Sequence, residues 1–162
     1  MSYGSRYPFT AHPKLDPRTG TLHYFGYSVQ ETPNCMYGQL DSKGKRTKWM
    51  EIPLRVPIMM HDFAVGGDYA VFIDHPLVWD LKLFMKEKRM PLKFDTSLPL
   101  RIGLLPTTAK SAEEMTWFEL PPHIIMHVAN AWEEGGKVIL YAVSYTEYDL
   151  DYFGIDFESG KL

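Results

Sequence analysis

Short apolar runs separated by glycine-containing turns constrain the fold of this chain more than any other sequence feature. The run Ile58–Val65 is closed by Gly66-Gly67-Asp68 and followed by the run Tyr69–Asp74, a pattern typical of two antiparallel strands joined by a tight turn. Similar runs predict further short strands at Leu22–Val29, Cys35–Leu40, Trp49–Val56, Arg101–Leu105, Met115–Leu120, Ile124–Ala131 and Val138–Tyr145. Short strands at hairpin spacing indicate a mostly antiparallel, all-β fold.

The segments between these runs carry weaker signals. A short helix is expected between Val78 and Arg89, where the apolar residues are poorly periodic. The basic cluster Lys43–Lys48 is expected at a solvated hairpin tip, and Glu134–Lys137 is a second predicted turn. Aromatic residues persist among acidic ones in Thr146–Leu162, so either this segment packs back on the domain or the natural chain continues, and continuation is the preferred interpretation.

Composition excludes several classes of protein. The 162 residues are 45% hydrophobic and 14% aromatic, which fits a globular domain and argues against disorder. A net charge of -3 gives no electrostatic case for binding nucleic acid. Cys35 is the single cysteine, which excludes an internal disulfide and favours a reducing compartment. No apolar run reaches the roughly 18 residues of a membrane span, and no signal-peptide core is visible, so a soluble protein is expected.

Three histidines in or beside predicted strands are candidate ligands of one metal ion: His12, His61 and His127. For any one of them a structural role in the core is the simpler alternative. His123 lies four residues before His127, but on a strand this separation is roughly 13 Å. Two ligands must each lie about 2 Å from the ion, so at most one of this pair binds. The remaining histidines, His23 and His75, are expected to be structural or exposed.

Other reactive residues support no separate site. Asp62 follows His61 directly and would face the opposite side of an extended strand, so a turn or ladder hydrogen bond is expected instead of metal binding. Glu133 and Glu134 are expected to be solvated turn residues, and Cys35 a small core residue and not a nucleophile. The sequence lacks the G-x-S-x-G, P-loop and G-x-G-x-x-G motifs of nucleophile elbows and nucleotide cradles.

Three longer blocks occur in fixed order along the chain. They are Phe9–Gly20 with Phe25–Ser28, Met59–Val65 with Asp74–Leu77, and Trp117–Glu134; Arg101–Pro106 and Lys110–Glu114 lead into the third. In these blocks the sequence resembles the carotenoid cleavage oxygenase family, which also includes retinoid isomerohydrolases and stilbene-cleaving oxygenases. The resemblance covers nearly the whole chain.

The resemblance implies a fold and a metal centre. Members of the family are seven-bladed β-propellers in which four histidines hold one non-haem Fe(II). His12, His61 and His127 match the first three of these histidines, at separations that suit one ligand per blade of on the order of 40 to 50 residues. The chain is therefore expected to be an all-β segment of about two to three blades, residues 1–162 forming part of a propeller domain of a natural chain that is longer at both ends. No catalytic residue beyond the metal ligands is implied.

The match is incomplete at the fourth histidine, which nothing after Thr146 supplies. The glutamates that hydrogen-bond the ligands in the family also have no match here, so that role is not assigned to Glu119, Glu133 or Glu134. A segment of a few blades leaves sheet edges open, which predicts low stability or aggregation of the chain alone.

The implied function is oxidative cleavage of a conjugated C=C bond of a carotenoid or apocarotenoid by Fe(II) and O2, giving two carbonyl products. The expected partners are a hydrophobic polyene, O2 and, for the full-length enzyme, a membrane surface at its periphery; nucleic acid is not expected. The expected location is the cytoplasm, or a plastid if a transit peptide is missing from this chain. The alternatives are an inactive propeller segment that acts in binding and an oxygenase of the stilbene-cleaving type.

Overall fold

Residues 8–29, 34–87 and 90–148 are described by the structure, a computed structural model. In these ranges the chain forms, in order, β1 (Lys14–Asp16), β2 (Thr21–Tyr27), β3 (Cys35–Leu40), β4 (Arg46–Ile52), β5 (Ala64–Gly66), β6 (Tyr69–Asp74), β7 (Leu77–Trp79), α1 (Leu81–Glu87), β8 (Leu92–Phe94), β9 (Leu100–Pro106), a 3-10 helix (Ala112–Glu114), β10 (Thr116–Leu120), β11 (Val128–Glu134) and β12 (Lys137–Ala142). The predicted C-terminal segment lies outside the described residues from position 149 onward.

The strands form four antiparallel sheets. The first sheet has the order β1-β2-β3-β4, and the second has the order β10-β9-β6-β5. Two further pairs, β7 with β8 and β11 with β12, complete the described strands. Every pair is antiparallel, so the sequence-based prediction of a mostly antiparallel β fold is confirmed.

Strand β6 of the second sheet is buried on both faces, which explains its unbroken apolar run. Alternate side chains of a strand point to opposite faces, and Phe72 packs with Phe25 and Tyr37 of the first sheet. Its neighbours Val71 and Ile73 instead pack with Ala131 of β11. Around β6 the core therefore forms two layers, one on each side of the strand, and a strand buried on both sides needs no polar alternation.

Gly66 lets β5 approach β11 closely. A Cβ placed on this glycine would lie 2.6 Å from the main-chain carbon of Ala131 and 2.7 Å from the nitrogen of Trp132. Both contacts are with main-chain atoms, which cannot rotate away as a flexible side chain could. The turn that follows is closed by Gly67 with a φ of +60°, as the Gly66-Gly67-Asp68 pattern predicts.

The observed strands differ from the prediction in several places: β1, β7 and β8 were not predicted, and β4 spans Arg46–Ile52 instead of Trp49–Val56. The run Ile58–Phe63 is buried largely without strand pairing, and β5 begins only at Ala64. Similarly, β11 begins at Val128 and not at Ile124, which makes only an isolated bridge to Tyr145. The predicted hairpin tip Lys43–Lys48 is shorter than expected, since β4 starts at Arg46 and the Lys48 ammonium donates to the carbonyls of Thr107 and Ala109, at 2.6 Å each.

A hydrogen-bonded chain of side chains crosses the first core layer. Gln39 Nε2 donates to the Tyr37 hydroxyl at 2.9 Å and to the Thr107 carbonyl at 2.8 Å. The Tyr37 hydroxyl lies 2.6 Å from His23 Nδ1. Since the hydroxyl accepts from Gln39, its proton is free to be donated to an unprotonated Nδ1. Burial lowers the pKa of His23 to about 4, with nearby Lys48 and Arg18 adding to this effect against the opposing charge of Asp16.

Helix α1, predicted between Val78 and Arg89, is confirmed at Leu81–Glu87. Its side chains are not buried, and Leu81, Phe84 and Met85 are among the exposed large apolar residues. In the described parts of the chain, no helix has the length and apolar character needed to span a membrane.

Replacing Gly66 with Ala is expected to destabilise the protein by about 1–3 kcal/mol, because the added methyl group overlaps the main chain of β11. Gly44→Ala is the matched control: a Cβ there meets nothing within 4 Å, and only its φ of +76° makes the change unfavourable, by about 1 kcal/mol. Urea unfolding measures both. A Gly66→Ala protein at least as stable as Gly44→Ala would contradict the close approach of β5 to β11.

Stability is expected to fall as the pH is lowered from 6.5 toward 4. His23 has a pKa lowered to about 4 in the folded state, so in this window the unfolded chain binds the additional proton and is favoured. His23→Gln should flatten this part of the pH dependence relative to the wild type, and His123→Gln, which changes a half-buried histidine outside this hydrogen-bonded chain, is the matched control. Thermal unfolding midpoints at pH 7 and pH 5 test this, and equal slopes in all three proteins would argue against it.

Candidate metal centre

The three candidate histidines each lie just before the first strand of a different sheet. His12 precedes β1 by two residues, His61 precedes β5 by three, and His127 precedes β11 directly. β5 contacts both β1 and β11, so the chain segments that enter these strands lie side by side. The apolar run suggested that His61 lies inside a strand, but the structure places it three residues before β5.

This arrangement brings the three imidazoles together. His12 Nε2 and His61 Nε2 are 3.0 Å apart. The ring centroid of His127 lies 5.3 Å from that of His12 and 4.8 Å from that of His61, with the ring planes almost perpendicular at 87° and 89°. One ring nitrogen from each residue lies within 4.8 Å of those from the others. Three donors from distant parts of the sequence therefore converge on one point.

The spacing and chemistry of these donors suit a transition-metal ion. Two imidazole nitrogens bound to one ion at about 2.1 Å lie roughly 3.0 to 3.4 Å apart for right-angled to tetrahedral geometry. The distance of 3.0 Å between His12 and His61 falls in this range. His127 is exposed, so its ring has room to rotate the short distance toward the other two. Imidazole is a ligand that iron, zinc, copper and nickel all accept.

Electrostatics favour the neutral form of the ring at the centre of the group. Burial lowers the pKa of His61, and its proximity to His12 and His127 lowers it further, against a smaller opposing effect of Asp62. Neutral imidazole is the form that binds metals. His61 therefore presents a lone pair toward the centre of the group.

A buried carboxylate lies behind the histidines. Asp62 Oδ1 accepts hydrogen bonds from the main-chain nitrogen of Phe63 at 2.8 Å and from the Lys14 ammonium at 2.7 Å, and Oδ2 accepts from the nitrogen of Val128 at 2.9 Å. The sequence suggested a local turn or ladder bond for Asp62. The structure shows one such local bond, from Phe63, and adds partners in two other segments of the chain.

His75 is the second buried polar residue in contact with these segments. Its Nε2 lies 2.8 Å from the carbonyl oxygen of Met59, and its Nδ1 accepts from the main-chain nitrogen of Ile125 at 3.2 Å. Burial lowers the pKa of this imidazole. The neutral ring with its proton on Nε2 satisfies both contacts. His75 is therefore structural, one of the two roles expected from the sequence.

The other reactive residues lie apart from the group. His123 Nδ1 is 2.7 Å from the carbonyl of Pro121, and His123 does not join the three histidines. Cys35 is buried, and burial raises the pKa of its thiol, so it is a core residue as predicted. Glu133 is exposed, as expected, but it lies in β11 and not in a turn, and its Oε2 accepts from the main-chain nitrogen of Asp68 at 2.8 Å, which connects the β5–β6 turn to β11.

A narrow cleft opens beside His61. It encloses about 170 Å³, and its walls are mostly apolar, with Phe9, Phe25, Tyr27 and Met60 among the lining residues. His61 is the single titratable imidazole in this lining. The cleft thus offers an apolar surface that ends at one member of the histidine group.

Comparison with known proteins agrees with this geometry. The family described as RPE65, retinal pigment epithelial membrane protein, matches residues 2–160. Carotenoid 9,10(9',10')-cleavage dioxygenase 1 of Phaseolus vulgaris is 41% identical over 156 residues, which are 95% of this chain and 28% of that protein. The chain therefore spans less than a third of the length of this relative.

Two solved structures share the fold. A lignostilbene dioxygenase of Pseudomonas brassicacearum superposes with a TM-score of 0.71 at 34% identity, over 82% of this chain and 28% of that one. A cobalt-substituted apocarotenoid oxygenase of Synechocystis superposes with a TM-score of 0.73 at 25% identity, over 88% of this chain and 31% of that one. Since the family match, the relatives and the solved structures all agree, this chain belongs to the carotenoid cleavage dioxygenase family.

Proposed function

We propose that this chain is part of a non-haem Fe(II) dioxygenase that cleaves a conjugated C=C bond of a carotenoid or apocarotenoid. The observation that carries the proposal is the convergence of His12, His61 and His127 in a chain 41% identical to a carotenoid 9,10(9',10')-cleavage dioxygenase. Because the chain spans 28% of that relative, the activity of the whole protein, its substrate and its partners all belong to the proposal.

His12, His61 and His127 would hold the iron. Fe(II) bound by neutral imidazoles retains open positions and supplies the redox centre for the reaction with O2. His61 is suited to this role because burial and its neighbours keep it unprotonated. The iron itself is inferred from the family, since imidazole alone does not distinguish iron from zinc, copper or nickel.

The chain's own contribution to the reaction would be to hold and orient the polyene. The apolar cleft beside His61 is lined by Phe9, Phe25 and Tyr27, which would exclude water and keep a rigid conjugated chain in one orientation. In the proposed reaction both atoms of O2 are added across one C=C bond, which breaks and leaves a carbonyl on each fragment. The atoms and electrons balance without an external reductant.

The stacked sheets fit a segment of a seven-bladed β-propeller. In this interpretation the first sheet is one four-stranded blade, the second sheet is the next, and β11 with β12 begins a third. The innermost strand of each blade would be β1, β5 or β11, and each of these begins within three residues after a candidate ligand. Radial blades of four strands with their first strands at the axis are the general plan of propellers.

Helix α1 supports peripheral contact of the enzyme with a membrane. Leu81, Phe84 and Met85 are exposed by 48%, 45% and 74%, and Lys82 and Lys86 lie on the same short helix. Exposed apolar residues flanked by lysines suit the interface of a bilayer, where a polyene substrate would partition. The cytoplasm remains the expected location, with a plastid as the alternative.

A stilbene-type substrate is the second candidate. The lignostilbene dioxygenase of Pseudomonas brassicacearum is 34% identical to this chain and superposes on it with a TM-score of 0.71. The same histidine group would serve a shorter conjugated substrate, and only the shape of the binding cleft would differ. Carotenoids are preferred because the Phaseolus vulgaris relative is more similar, at 41% identity.

The purified protein is expected to bind one Fe(II) per chain under anaerobic conditions. His12→Ala, His61→Ala and His127→Ala should each weaken binding severely, because each removes one imidazole donor. His123→Ala is the matched control, since His123 lies on the same segment as His127 but outside the group. Metal analysis after gel filtration, with circular dichroism to verify folding, gives the result. A folded wild type without iron, or iron retained in all three variants, would contradict the assignment.

Incubation of the iron-loaded protein with an apocarotenoid and ¹⁸O₂ is expected to yield two carbonyl fragments that each carry one ¹⁸O atom. The products must be reduced to alcohols at once, because aldehyde oxygens exchange with water. Mass spectrometry then locates the label, and His61→Ala should give no products. Cleavage of a stilbene but not of a carotenoid would favour the second candidate, whereas label in only one fragment would exclude a dioxygenase.

A further inference from the structure

We infer that Asp62 and His75 are positioning residues that fix the spacing of the three histidines. Between them, these two buried side chains bond to the main chain on both sides of His61 and His127, and Asp62 also reaches the His12 segment. This inference rests on the proposed metal site, because the spacing of the histidines matters only if they share a ligand. Neither residue would touch the metal or the substrate.

The histidines need such support because none of them lies in a strand. His12, His61 and His127 all precede the first residue of the strand that follows them. The ladder hydrogen bonds that align β1, β5 and β11 with their partners therefore begin only after the histidines. Side chains that bond across these irregular segments can hold the spacing that the ladders do not.

Asp62 connects the segments on the side that follows the histidines. It is the residue directly after His61, and its Oδ2 accepts at 2.9 Å from the nitrogen of Val128, the residue directly after His127. Its Oδ1 accepts at 2.7 Å from Lys14, two residues after His12. Asp62 is 4% exposed, so these charge-assisted bonds are shielded from water and from competing ions.

His75 connects two of these chain segments just N-terminal to His61 and His127. Its Nε2 donates at 2.8 Å to the carbonyl of Met59, two residues before His61. Its Nδ1 accepts at 3.2 Å from the nitrogen of Ile125, two residues before His127. At 1% exposure the ring has no access to water that could replace either bond. The two segments are therefore bridged on both sides of the proposed ligands.

For Asp62 and for His75, one substitution disrupts the hydrogen bonds with little change in the size of the side chain. Asp62 receives three donors, so Asp62→Asn keeps its size but turns an amide NH₂ toward another N–H or ammonium donor. His75→Phe keeps the ring but leaves the carbonyl of Met59 and the nitrogen of Ile125 without their partner. Asp16→Asn is the matched control: Asp16 is also a buried aspartate, but its bonds go to Arg18 and Thr19 within the same turn.

Co(II) is the probe, because its visible absorption bands report the geometry of its ligands. Wild type and Asp16→Asn are expected to bind Co(II) with equal affinity and the same spectrum. Asp62→Asn and His75→Phe should bind roughly 10- to 100-fold more weakly, the loss typical of residues that orient metal ligands, with altered bands. Loss of a buried aspartate can also destabilise the protein in general, and this effect would lower the thermal midpoint of Asp16→Asn as well. The Co(II) spectrum of Asp16→Asn should nevertheless match that of the wild type.

A measurement on the metal-free protein separates this inference from the proposed function. Hydrogen exchange at the Val128 amide should be faster in Asp62→Asn than in Asp16→Asn, and the side-chain nitrogen resonances of His61 and His127 should shift in Asp62→Asn and in His75→Phe but not in Asp16→Asn. If the wild type binds no Co(II), the proposed metal site fails, and these resonances still decide whether Asp62 positions the rings. If Asp62→Asn and His75→Phe both keep the Co(II) affinity, the Co(II) spectrum and the histidine resonances of the wild type, the inference is overturned. The proposed metal site would be unaffected by that result.

Discussion

The histidine group depends on the close contact of β5 with β1 on one side and β11 on the other. β5 is only three residues long, so its own ladder with β6 contributes few hydrogen bonds. Its position is set instead by the absence of a side chain at Gly66, where the main chain of Ala131 and Trp132 occupies the space of a Cβ. Glu133 then fastens the following turn by accepting from the nitrogen of Asp68. These contacts place the chain segments that lead into β1, β5 and β11 side by side, and the three histidines lie in those segments.

The two core layers give this contact its rigidity. β6 is buried on both faces and lies between the first sheet and the β11–β12 pair. Phe72 packs against the first sheet, and Val71 and Ile73 pack against β11. Close-packed interiors tolerate little displacement. A shift of one sheet would therefore move the segment that carries its histidine by a similar amount. The segments that carry His61 and His127 are also packed in the core through Met60, Phe63 and Ile125, and the buried bonds of Asp62 and His75 add directional contacts to this packing.

Sequence patterns predicted the features that depend on local chemistry. Cys35–Leu40 was predicted to be a strand and is confirmed as β3, and the glycine turns at Gly67 and at Gly135-Gly136 have the positive φ that their pattern indicates. Apolar character alone could not place the start of β5, because Ile58–Phe63 is buried by tertiary packing without strand pairing. The hydrogen bonds of Glu133 and Lys48 were missed because their partners are 59 to 65 residues away in the chain. The strand context of His12, His61 and His127 suggested one shared metal ion, and the resemblance to a known family implied that each of them belongs to a separate blade.

A buried aspartate beside the histidines has a physical cost that must be offset. A carboxylate removed from water is unfavourable unless hydrogen bonds satisfy its oxygens, and Asp62 meets this condition with Lys14 and two main-chain nitrogens. A hydrophobic residue of similar size would fill the space without that cost, yet it could not bond to the nitrogen of Val128 and to the Lys14 segment at the same time. Directional bonds fix distances that apolar contacts leave adjustable. The energetic cost of Asp62 is therefore understandable where the spacing of neighbouring ligands, and not stability alone, determines function.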